Sequence, residues 1–168
     1  MLKSLRSGLT HKSSDSVMRL WHQSLIPYLD NKRLLGQHRE CCALRGKGWG
    51  KKHSMVDYVF KYDLSHLYEY HVIVMGEMLI RNYMVYPKWY DRTYRGTKLP
   101  KSSLSEVGIF VAKIEELNGK SRLCTIYPEH DDRYLRECLL NLKSKNAELT
   151  NGKSIDEMLI ELDLKSVE

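Results

Sequence analysis

Residues 34–53, LLGQHRECCALRGKGWGKKH, set Arg39 beside Glu40 and then interleave Gly46, Gly48 and Gly50 with Lys47, Lys51 and Lys52, around Trp49 and before His53. Helical spacing of three and four places Gly36, Arg39, Glu40, Ala43 and Lys47 on adjoining rows, while Leu34, Leu35, Cys41 and Cys42 point elsewhere. The charged pair therefore sits on a face made otherwise of very small residues, which a large rigid ligand can approach closely. The neighbouring cations are expected to hold Glu40 ionised. Its chemistry would be charge recognition. The plainer reading is a surface ion pair worth ~0.5 kcal/mol.

The cations that follow define the partner class. Residues 1–53 carry eleven lysines and arginines against Asp15, Asp30 and Glu40, whereas the rest of the chain is slightly acidic. A basic excess gathered on one surface displaces the counterions condensed on a nucleic acid. In the glycine-lysine loop, the glycines let backbone approach phosphates and the lysines neutralise them. Trp49 would stack on or wedge between bases there, or else anchor the loop to the core.

These residues need a scaffold, and the chain can supply one. With 168 residues, 42% of them hydrophobic and 29% charged, it suits one domain with a real core. The most apolar run, HVIVMGEMLI, is too short for a bilayer and contains Glu77. The vicinal Cys41-Cys42 and the isolated Cys124 and Cys138 lack a Cys-x-x-Cys spacing, so they read as reduced thiols of a cytosolic protein with no metal or cofactor.

Along the chain, residues 1–17 are rich in serine and basic residues and read as a disordered leader, an upstream-start extension or, less well, a short transit peptide. Leu20, Trp21, Leu25 and Ile26 are core candidates, and Pro27 limits any early helix. Asp30 or Asn31 caps a helix that runs to Arg45 and stops at Gly46. A second, central helix spans residues 65–82, with Leu67, His71, Val74, Met75, Met78 and Leu79 facing in, and 83–102 form a loop.

Ser103 and Glu106 make a capping box for a helix through Leu117, favoured over a hairpin around Asn118-Gly119. A further helix starts near Pro128, and a last one covers 154–165. The expected fold is a compact, mainly α single-domain helical bundle, with a core domain over 18–149 and a helical extension over 150–168.

Four blocks, MRLWH at 18–22, LLGQHRE at 34–40, GWGKKH at 48–53 and YVF at 58–60, resemble the pyrimidine-dimer DNA glycosylase family, which includes the phage enzyme called endonuclease V. The similarity runs from Met18 to about Leu149 and is densest before residue 85. The resemblance implies an all-α enzyme that removes one base of a pyrimidine dimer and then cuts the strand at the abasic site. It implies no metal or cofactor, and a monomer acting on double-stranded DNA in the cytoplasm, associated with the nucleoid.

Carried over by position, the family's essential glutamate is Glu40, its DNA-contacting arginine is Arg39 and its amine-bearing position is Arg19, just after Met18. An α-amine has a pKa of ~8, so a neutral fraction can attack C1′ of the damaged nucleotide. Glu40 would stabilise the developing sugar cation and move protons. DNA contacts are expected from His38, Arg39, Lys47, Trp49, Lys51, Lys52, His53 and Arg95; His22, close to Arg19, either contacts the abasic sugar or is a satisfied core histidine beside Trp21.

The departure from the family is at the nucleophile, because Arg19 replaces a small threonine and 17 residues precede Met18. The amine would then come from Met18 after processing, or from Lys47, Lys51 or Lys52 with a depressed pKa. The alternative is a helical protein that binds nucleic acid without catalysis.

Overall fold

The computed structural model describes residues 18–52, 54–117, 120–150 and 152–165. Two helices packed against each other form its centre: α1, Asn31–Arg45, and α2, Leu64–Ile80. Asp30 starts α1 by accepting the Arg33 backbone N–H at 2.8 Å, and Gly46 ends it. Leu34, Cys41 and Leu44 of α1 meet Leu67, Tyr70, Val74, Met75 and Met78 of α2 in one core. The segment before α1 completes that core with Leu20, Leu25, Ile26 and Leu29, bent by a 3₁₀ turn at Gln23–Tyr28 that contains Pro27. Glu77 is buried in α2, but it pairs with Arg81 at 2.7 Å, and Arg81 also donates to the carbonyls of Leu29 and Pro27. Leu79, expected inside, is exposed at the end of α2.

The capping box of Ser103 and Glu106 forms, yet its helix, α3, spans only Leu104–Val107. The chain then pairs Ile114–Leu117 (β1) antiparallel with Lys120–Leu123 (β2). The expected helix through Leu117 is thus corrected to a short helix and an antiparallel strand pair. Gly108 decides it: φ is +79°, outside the helical region, and a Cβ there would lie 2.7 Å from Asp63 Cβ. Beyond that break, the β-branched Ile109, Val111 and Ile114 favour extended backbone.

Gly108→Ala should therefore cost about 2–3 kcal/mol. Gly76→Ala, at a site in α2 where a Cβ meets nothing within 4 Å, should stabilise by about 0.5–1 kcal/mol. Opposite shifts in the urea midpoint would verify the pair.

After the strand pair, α4 spans Asp132–Ser144 and buries Leu135, Cys138, Leu139 and Leu142, and α5, Ile155–Lys165, packs on it. The expected start of α4 near Pro128 moves to Asp132, because Asp131 caps the helix by accepting the Tyr134 N–H at 2.8 Å. The fold is mainly α, and no helix among the described residues is long and apolar enough to cross a membrane.

Candidate active site

Residues 18–22 lack regular secondary structure, and one side chain of α1 holds them in place. Gln37, 1% exposed, accepts the Trp21 N–H on Oε1 at 2.7 Å and donates from Nε2 to the Arg19 carbonyl at 3.1 Å. The same Nε2 donates to Glu40 Oε2 at 3.0 Å. From α2, the Tyr70 hydroxyl donates to the Trp21 carbonyl at 2.6 Å and lies 3.0 Å from Gln37 Oε1. The backbone N–H of Arg19 also faces the Glu40 carboxylate and favours its charged form. The Met18-Arg19 junction is thereby pressed against the acid.

Burial pushes the Glu40 carboxyl up to about 7, against the opposing pull of the Arg19 N–H and the charges of Arg39, Arg19 and Lys145. The expectation that its cations keep Glu40 ionised is therefore corrected, since desolvation outweighs them. At neutral pH the group is divided between acid and base, which suits proton transfer in both directions. Lys145, at the end of α4, is a neighbour of Glu40 that the sequence reading did not single out. The Arg19 guanidinium turns to α4, 3.3 Å from Glu137 and 3.8 Å from Cys138 Sγ, and lies over the Trp21 and Tyr134 rings.

Arg39, Ala43 and Lys47 are exposed, as the row spacing requires, and so are Lys51 and Lys52. The loop curls back onto the end of α1. The Gly48 N–H donates to Ala43 O at 2.9 Å, and a Cβ at Gly48 would come within 2.7 Å of that oxygen. Trp49 is half-buried and packs edge-on against Phe60 at 5.2 Å, so it anchors the loop and lets the lysines face outward. His53 lies outside the described residues.

His22, Arg95 and His38 each make bonds within the fold. His22 is buried, with Nδ1 2.7 Å from Ser24 Oγ and Nε2 2.8 Å from the His130 carbonyl, so it offers little surface to a strand. Arg95 donates to the carbonyls of Arg45 at 3.2 Å and Gly46 at 3.1 Å. Those bonds satisfy the open end of α1. His38 is half-buried, with Nδ1 2.8 Å from His71 Nε2.

His38, His71 and Cys42 bring three potential ligand atoms within 4.8 Å of one another, but their protons do not suit a metal. Arg45, 1% exposed, points Nη1 at His71 Nδ1 at 3.0 Å. A guanidinium only donates, so His71 Nδ1 accepts and Nε2 carries the proton that it gives to His38. A cation among the three would need a lone pair on His71 Nε2, where that proton sits. Burial and the nearby arginines lower both histidines, and burial raises the Cys42 thiol to about 12, so the trio is neutral.

Gln37 and Arg45 were missed by the reading above. Both carry a signal in the spacing, since Gln37 lies on the rows of Leu34, Cys41 and Leu44, and Arg45 follows Cys41 by four. A polar residue on a buried row asks for partners.

The arrangement defines a helical protein with a half-protonated acid held against a main-chain nitrogen, flanked by exposed cations. The family model described as pyrimidine dimer DNA glycosylase matches residues 18–91, so over that span the chain is similar to this family. The match takes in Arg19, Gln37 and Glu40 and the glycine-lysine loop. No curated protein and no solved structure matches the chain.

Proposed function

We propose that the chain is a DNA glycosylase with abasic-site lyase activity that acts, as a monomer, on pyrimidine dimers in double-stranded DNA. The observation that supports this reading is the Glu40 carboxyl, tied through Gln37 to the Arg19 backbone and raised by burial to about 7. In a chain processed to begin at Arg19, the backbone nitrogen of that residue is an α-amine; in one beginning at Met18, the amine lies one residue further out.

The amine attacks C1′ and the bond from C1′ to the base breaks, the base leaving with a proton from Glu40. Loss of the amine proton and opening of the sugar give an imine. Removal of a C2′ proton then expels the 3′ phosphate and cuts the strand. Arg39, Lys47, Lys51 and Lys52 neutralise phosphates, and displacing a damaged nucleotide costs least because its pairing is already weak.

A second reading has its own support. In a chain that continues through Met18, the Arg19 nitrogen is a peptide amide without nucleophilic character, and the protein then binds damaged DNA without cutting it. Lys47, Lys51 and Lys52 face solvent, where they suit phosphate contact.

Borohydride trapping on abasic and dimer-containing duplexes decides between the two, with chains starting at Met1, Met18 and Arg19. A covalent adduct is expected from the shorter forms. If no form gives an adduct while salt-sensitive binding persists, the enzyme reading is wrong.

A further inference from the structure

The Gln37 amide has a single workable orientation. The Trp21 N–H can only donate, so it faces Oε1; the Arg19 carbonyl can only accept, so it faces Nε2. Nε2 has two protons, and the second goes to Glu40 Oε2. With Tyr70 against Oε1, every hydrogen-bonding group of this buried side chain is engaged.

Two consequences follow for Glu40. Its Oε2 always faces a donor, so that oxygen cannot carry a proton toward Gln37. The backbone of Arg19, fixed by its carbonyl, cannot drift from the carboxyl that its N–H faces.

We propose that Gln37 is a positioning residue of the site: it sets the separation between the Arg19 nitrogen and Glu40, and it reserves Oε2 as an acceptor, so that the proton Glu40 exchanges resides on Oε1. This rests on the reading of Glu40 as the proton-transfer group. Glutamine suits the role better than glutamate, which offers no fixed donor, or leucine, which offers none. Neither would hold the Arg19 carbonyl.

The test is an NMR titration of the ¹³C-labelled Glu40 carboxyl in the full chain, for wild type, Gln37→Leu and Gln37→Glu. Removing a donor to the ionised form should move the Glu40 midpoint in Gln37→Leu upward by roughly one pH unit. Gln37→Glu keeps acceptors for Trp21 and Tyr70 and so preserves the packing if leucine does not fold. Its two carboxyls, about 3 Å apart, should titrate as a coupled pair, one midpoint well below the other.

Unchanged Glu40 titration in the folded variants would overturn the proposal, whatever the loss of stability. On abasic DNA the trapping rate of Gln37→Leu should fall at least about tenfold, with DNA affinity within about twofold of wild type. A wild type that forms no adduct refutes the enzymatic reading, while the titration still decides the role of Gln37.

Discussion

Glu40→Gln should reduce base removal and strand cleavage by about 10²–10⁴-fold while leaving the affinity for damaged duplex nearly unchanged. The substitution preserves shape and removes the titrating proton, and Arg39 and the loop lysines that face solvent are untouched. Single-turnover cleavage and a binding isotherm at one salt concentration separate the two effects. Comparable loss of both would mean that Glu40 supports the surface instead of the chemistry.

The same variant has a pH signature. The native Glu40 carboxyl titrates near 7 because burial opposes its charge, whereas an unfolded glutamate titrates near its model value of 4.5. Between those values the native state binds more protons than the unfolded one, so Glu40 makes wild-type stability fall as pH rises through this window. Glu40→Gln lacks that loss. Urea midpoints at pH 4, 6 and 8 should show the variant gaining on wild type at each step. A constant difference would show that the carboxyl is not raised. A group that destabilises the fold in its charged form is what a site kept for chemistry is expected to contain.

The sequence made the frame of the site readable because the signals were local. Asp30 and Gly46 mark the ends of α1 by capping, and the period of three and four already separates exposed Arg39, Ala43 and Lys47 from buried Leu34 and Cys41. Distant contacts were not readable in this way. The failure of the helix beyond Gly108 depends on Asp63, 45 residues earlier in the chain. The charge state of Glu40 turns on its burial and on the distant Arg19 and Lys145, which no local pattern reports. That Arg95 bonds the end of α1 was equally unreadable, because an isolated arginine in a loop carries no sign that α1 ends beside it.

Arg45 shows how much such a distant contact can carry, and Arg45→Met should destabilise the protein by about 3–5 kcal/mol. Its guanidinium donates to the carbonyls of Trp89 and Asp91, each at 2.8 Å, to that of Tyr94 at 3.2 Å, and to His71. It also lies between the Tyr68 and Trp89 rings, 5.1 Å from each centroid. No carboxylate supplies these bonds, so a methionine of similar length fills the volume and leaves several acceptors without a donor. Arg45→Lys should recover only part of the loss, because one ammonium cannot span three carbonyls and a ring nitrogen.

The damage should spread in a definite direction. The carbonyls that Arg45 holds belong to residues 89–94, the next residue is Arg95, and Arg95 closes the end of α1 at Gly46, where the lysine loop begins. Amide exchange should therefore quicken in residues 87–96 and 46–52 before it does in α4. Under conditions where the variant remains folded, its DNA affinity should fall more than its Glu40 chemistry. Exchange that quickens uniformly would show that Arg45 stabilises the core as a whole and that the loop has no special dependence on it.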